Sequence, residues 1–360
     1  MKLAPIDSLL DLLRFGTEPS RVDRIDDLTA LLPLARFEGA ERWMLRRLKD
    51  HPTASSLKGV IEALQSSVRS EAPLLLRQDE ETRRVLAILA DAGIGTVAIK
   101  GFARRVLAPR IPYLDARPTK DIDLLVEPGR GQDAWDRLRG RGYQLGPPPP
   151  PNAHHLQNLL GEFRIGIELH TSIARNQPPE RTWERLGVQA DVVFWNGLEV
   201  RVPPPSELAW HTAAHGLADG ASGFRLQHLL PVAAVAAAGH GAWPMWEQRV
   251  VDETVDLVSG HMVGVRGTTP WFAAARWLAG EPGPPPIGLR AVLAWRTKML
   301  ASEARLGRSF VGRALAEGPR AELGVPPEGS GPGTPLGPRL RRYGAAYVAR
   351  AWYGLDRARI

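Results

Sequence analysis

Thr119-Lys120-Asp121-Ile122-Asp123-Leu124-Leu125-Val126 sets two carboxylates one residue apart inside an apolar run that reads as a β-strand. Successive side chains on a strand point to opposite faces, so Asp121 and Asp123 share one face while Ile122 and Leu124 take the other. Two neighbouring acids repel each other, and each loses solvation when the strand packs, so stability alone gives no reason to place them there. A divalent cation removes the conflict, because carboxylate oxygens at this spacing can share it. The competing reading is a solvated acidic strand face, and the surroundings of the stretch decide between the two.

Upstream, the helical period stops at Ala92-Gly93-Ile94-Gly95, and Thr96-Val97-Ala98-Ile99-Lys100-Gly101 follows as a short strand ending in Lys-Gly. Phe102 to Leu107 then return to a helical pattern. A strand, a glycine and a helix start present backbone N–H groups and the positive end of a helix to an anion. Lys100 would add a point charge to the same anion. Downstream, Arg130 to Arg141 read as an amphipathic helix and Tyr143 to Leu145 as a short strand. Glu162-Phe163-Arg164-Ile165-Gly166-Ile167-Glu168-Leu169-His170 reads as a further strand. Its alternation puts Ile165 and Ile167 on one face and Gly166, Glu168 and His170 on the other, which makes Glu168 a third acid for the same site. Val192–Trp195 and Leu198–Val202, joined by Asn196-Gly197, form the clearest hairpin, since Asn-Gly suits a type I′ turn.

The rest is helical in pattern. Leu28, Leu31, Leu32 and Leu34, then Trp43, Met44, Leu45 and Leu48, form apolar stripes at helical spacing, and Trp43 reads as core. After Pro203-Pro204-Pro205, Ser206 is positioned to cap a helix through Leu208 and Trp210. His211 and His215 lie four residues apart on it without a third ligand, so they read as packed histidines rather than a metal pair. The organisation expected is an N-terminal helical region over 1–80, a core over 81–203 and a C-terminal helical region over 204–316. A Gly/Pro-rich linker over 317–338 and a basic helix over 339–360 complete it. The fold class is α+β, a small mixed sheet flanked by helices.

Composition narrows the chemistry. With 360 residues and no cysteine, the chain has several modules' worth of length and no disulfide, thiolate metal site or cysteine nucleophile. The net charge is +7, nearly all from arginine, with only six lysines. That balance suits acidic partners, although the arginines are spread along the chain rather than clustered. The N-terminus carries Asp7 and Asp11 rather than the basic-then-apolar order of a signal peptide. The most apolar stretch, Leu229 to Ala238, is interrupted by Pro231 and is too short for a bilayer. A cytoplasmic protein with no membrane partner is expected.

Three motifs together resemble the nucleotidyltransferases of the DNA-polymerase-β-like superfamily, specifically a largely uncharacterised bacterial family often found in biosynthetic gene clusters. They are Ile99-Lys100-Gly101, Arg117-Pro118-Thr119-Lys120-Asp121-Ile122-Asp123-Leu124-Leu125-Val126, and Ile167-Glu168-Leu169-His170. The resemblance implies transfer of a nucleotidyl group from an NTP, ATP foremost, to a small-molecule or peptide acceptor. Asp121, Asp123 and Glu168 would hold Mg²⁺ or Mn²⁺, with Glu168 also helping to deprotonate the acceptor. Lys100 and Gly101 would cradle the triphosphate, Arg117 and Lys120 would add phosphate charge, and His170 would orient a carboxylate. Alternatives are a silent nucleotide- or peptide-binding scaffold, a protein AMPylase, and a tRNA-end modifier. Nucleic acid is the less favoured partner, because no aromatic-basic interleaving or RNA-binding module accompanies the arginines.

Overall fold

Strand β2 (Asp121–Val126) forms because its β-branched and leucine side chains find cover on both sides: Ile122, Leu124, Leu125 and Val126 are all buried. Each such burial contributes about 1.5–3 kcal/mol. The computed structural model describes residues 5–16, 32–49, 57–114, 119, 121–149, 153–173, 177–218, 225–241, 243–249 and 265–306. Arg117, Lys120, the Gly/Pro-rich stretch and the basic C-terminal segment lie outside the described residues.

The architecture is α+β. Before the sheet come α1 (Pro5–Leu13), α2 (Leu32–Phe37), α3 (Glu41–Lys49) and the long α4 (Lys58–Asp91). The five-stranded sheet runs β1-β2-β5-β4-β3, built from β1 (Thr96–Ala98), β2, β3 (Gln144–Leu145), β4 (Leu159–Leu160) and β5 (Gly166–His170). Only β2 and β5 run parallel. A parallel pair needs a crossover, and α6 (Gly131–Gly140) lies in it. Helix α5 (Lys100–Leu107) packs against β2 and α8 (Pro205–Ala218), while α4 and α6 pack on each other. Between β5 and α8, α7 (Pro179–Trp183) passes into a π-helical turn, Glu184–Val188. The hairpin β6 (Asp191–Trp195) and β7 (Leu198–Val202) follows as a separate two-stranded sheet. Asn196 (φ 47°) and Gly197 (φ 86°) are both left-handed there, as the type I′ turn requires.

The C-terminal helices are α9 (Leu226–Val235), α10 (243–249), α11 (Val265–Leu278) and α12 (Ile287–Leu306). They close on the N-terminal ones. The Phe15 N–H donates to the Leu278 carbonyl at 2.8 Å, and the Arg14 side chain to the Trp277 carbonyl at 3.1 Å. Arg296 and Glu38 form a buried ion pair at 2.7 Å, whose other carboxylate oxygen accepts from the Leu226 N–H. Trp43 is core, its ring 5.2 Å from Phe15 and 5.0 Å from Tyr113.

Several boundaries differ from the sequence reading, each for a local reason. The apolar runs Val60 to Val68 and Leu74 to Leu89, which read in the sequence as two helical stretches, form one helix, α4, with Pro73 inside it. Helix α5 begins at Lys100 rather than at Phe102, so β1 is only three residues long. Helix α8 begins at Pro205, whose ring suits a first turn, and the N–H groups of Glu207 and Leu208 bond the Pro204 carbonyl; Ser206 is therefore not its cap. Pro231 sits inside α9 without ending it, and every residue of that helix is buried. No helix among the described residues is long and apolar enough to cross a membrane.

Candidate active site

The chain reaches the site through a sharp corner after β1. Ile99 is extended (φ −129°), Lys100 is left-handed (φ 49°), and α5 starts at once. A lysine in that conformation costs on the order of 1 kcal/mol and is kept where the surroundings demand it. Gly101 is demanded by space, since a Cβ there would lie 1.6 Å from the Thr119 methyl carbon. Thr119 is itself fixed: Gln78 of α4 donates to its hydroxyl at 3.0 Å and to the Asp121 carbonyl at 2.8 Å. One glutamine thus ties the start of β2 against the corner after β1.

The β2–β5 register assembles the acids. Asp123 stands opposite Glu168 and Asp121 opposite Gly166, all on one sheet face. Gly166 leaves the place beside Asp121 without a side chain. His170, two residues beyond Glu168, sets its Nε2 3.0 Å from Asp123 Oδ1 and 3.4 Å from Glu168 Oε2. Lys100 Nζ lies 2.8 Å and 3.3 Å from the same two oxygens. Asn158, next to β4, donates to the other Glu168 oxygen at 3.0 Å. Asp123 and His170 are almost completely buried, with side-chain exposures of 2% and 0%.

Charge follows from this packing. Burial alone would raise Asp123 and Glu168, but Lys100 and His170 outweigh it, and both carboxyls are held below the ordinary range. Asp121 goes the other way: burial and the nearby charges of Asp123 and Glu168 push it from 3.8 up to about 6, against the pull of Lys100. Burial works against the Lys100 ammonium, and the two carboxylates more than offset it, so its pKa is raised. A wall of imidazoles borders the cluster. The rings of His154 and His155 lie 5.3 and 5.4 Å from that of His170. Burial, then His170 and Lys100, drop His154 to about 3, which leaves it neutral. Burial and then His215 likewise lower the pKa of His211 on α8, which stays neutral at pH 7.

Among the described residues, Asp123, Glu168 and His170 form the group that could hold a metal ion, since their ligand atoms all lie within 4.8 Å of one another. Two carboxylate oxygens and an imidazole nitrogen fit a divalent cation, and the nitrogen suits Mn²⁺ better than the oxygen-seeking Mg²⁺. The Nδ1 of His170, on the ring edge away from Nε2, is buried without a hydrogen-bond partner among the described atoms. A family model described as uncharacterised nucleotidyltransferase matches residues 26–262. The chain belongs to that family. The matched span of this nucleotidyltransferase-family protein contains the whole cluster, from the Lys100 corner to the histidines of α8. No curated protein matches the chain.

Of the residues singled out in the sequence, Lys100, Asp121, Asp123, Glu168 and His170 come together at this face, while Gly101 follows Lys100 and packs against Thr119. The Asp121 carboxylate is coupled to the others by charge but lies outside the convergent metal-ligand group. Asn158, His154, His155 and Gln78 were not foreseen. The His154-His155 pair follows a run of prolines and has no periodicity to attach it to a strand face, so only the chain's return path beside β5 reveals it.

Proposed function

We propose that this protein transfers a nucleotidyl group from an NTP, ATP first among them, to a hydroxyl or similar nucleophile of a small molecule or peptide. The observation that carries the reading is the parallel β2–β5 register. It sets Asp123 against Glu168 at the mouth of the Lys100 corner, with Asp121 on the same face. Asp121, Asp123 and Glu168 are the proposed holders of Mg²⁺ or Mn²⁺, and His170 keeps Asp123 in place through its Nε2. The cation, when bound, neutralises charge on the triphosphate and at the phosphorus under attack.

The acceptor oxygen forms its bond to the α-phosphorus, the bond from that phosphorus to the β-bridging oxygen breaks, and pyrophosphate leaves with the electron pair. The acceptor's proton passes to a carboxylate of the cluster. Lys100 and the N–H groups that open α5 supply positive charge for the leaving phosphates. Gly101 permits this by letting the corner lie against Thr119. Arg117 and Lys120 are proposed to add phosphate charge from the segment before β2.

Calorimetric titration of each NTP, with and without Mg²⁺, tests the reading on the wild type and on the Asp121→Asn/Asp123→Asn double variant. Metal-dependent binding that the double variant loses supports it. A folded wild type that binds no NTP overturns it and leaves the chain a recruiting scaffold.

A further inference from the structure

The ammonium of Lys100 and the imidazole Nε2 of His170 contact the same two oxygens, Asp123 Oδ1 and Glu168 Oε2. Asp123, Glu168 and His170 are also the residues whose ligand atoms converge within 4.8 Å, close enough to hold a metal ion. A divalent cation bonds such ligands at about 2.0–2.2 Å, well inside the hydrogen-bond distances seen here. An ammonium and a divalent cation therefore compete for one pair of oxygens, since both need the same lone pairs and repel each other at contact.

We propose that Lys100 is a built-in counter-ion that competes with the divalent cation for Asp123 and Glu168, and that entry of the cation hands the ammonium on to the anionic co-substrate. The inference rests on the nucleotidyltransferase reading above and adds a coupling between its two ligands. Lys100 stands where such an exchange is short. Its backbone is left-handed at the turn from β1 into α5, its four-carbon stem swings from a fixed corner, and its side chain is 21% exposed while Asp123 is only 2% exposed. The carboxylate end of that swing is the cluster, and the other end is the mouth of α5, where a triphosphate would meet the helix N–H groups. Asn158 holds the other Glu168 oxygen independently of the lysine, so that ligand stays in place when the ammonium leaves. The consequence is positive coupling. Cation binding frees a positive charge for the triphosphate, and a bound triphosphate draws the ammonium away from the cation's place.

The test is calorimetric titration of Mn²⁺, without nucleotide, into the full chain and into Lys100→Met. If the ammonium holds the two oxygens about nine-tenths of the time, its removal tightens Mn²⁺ binding roughly tenfold. In the wild type, acylation of Lys100 by an amine-directed reagent, followed by mass spectrometry against the other five lysines, is expected to speed up several-fold on adding Mn²⁺. Equal or weaker Mn²⁺ binding by folded Lys100→Met overturns the proposal and leaves the transferase reading standing, provided NTP binding remains metal-dependent. If the variant does not fold, the acylation rate decides, and a rate unchanged by Mn²⁺ overturns the proposal. Failure of the wild type to bind Mn²⁺ with or without NTP overturns both.

Discussion

Replacing Asp121 by Asn tests whether this cluster is maintained for function at the expense of stability. In the folded chain the Asp121 carboxyl is raised from 3.8 to about 6 by burial and by the charges of Asp123 and Glu168. A group whose folded pKa lies above its unfolded one binds its proton more tightly in the native state. Ionising it at neutral pH therefore disfavours folding. At about 1.4 kcal/mol per pH unit the penalty above pH 6 is at most about 3 kcal/mol, and about 2 kcal/mol once the solvent that reaches this half-buried group is allowed for. Asn keeps the shape and removes the charge. In chelator at pH 7.5, Asp121→Asn is expected to be the more stable chain by about 2 kcal/mol, with a thermal midpoint a few degrees higher. The advantage should shrink as pH falls from about 6 toward 3.8, where the wild-type carboxyl takes up its proton. Urea unfolding of both chains, repeated between pH 7.5 and 4.5, measures it. With Mn²⁺ present the advantage is expected to shrink, because a bound cation offsets the repulsion around the Asp121 carboxylate that Asn removes. A variant that is no more stable at pH 7.5, or a gap that stays constant down to pH 4.5, would refute the reasoning.

Two more substitutions address the geometry. Gly101→Ala places a Cβ 1.6 Å from the Thr119 methyl carbon, so the corner must open; a loss of about 2 kcal/mol in urea unfolding is expected, with weaker NTP binding. An unchanged urea midpoint would show that the corner adapts freely. His170→Gln removes the imidazole from Asp123 and is expected to weaken Mn²⁺ affinity on the order of tenfold to a hundredfold while the chain stays folded. Mn²⁺ affinity equal to wild type in a folded variant would remove His170 from the site.

How much of the site was legible depends on which distances govern each part. Alternation along Asp121 to Val126 and along Ile165 to His170 was readable, because a strand's side-chain directions follow from its own dihedrals. Asn196-Gly197 was readable for the same reason: the turn's left-handed angles belong to those two residues. The start of α8 and the passage of α4 through Pro73 were not, because flanking prolines and tertiary packing, rather than propensity, set those boundaries. Strand β4 is two residues long and carries too little pattern to announce itself.

The residues alone determined the faces of β2 and β5, the Lys-Gly corner, and a set of acids that only a cation or a proton could reconcile. Tertiary structure decided that β2 and β5 pair in parallel, with Asp123 opposite Glu168 and Asp121 opposite a glycine. It decided as well that Lys100, 23 residues before Asp123 and 68 before Glu168, closes on both acids, and that Asn158 and His154 border them. The division is physical. A side chain's face is set by the angles of its own residue, whereas register and ion pairing are set by which distant surfaces lose water together when the chain closes on itself.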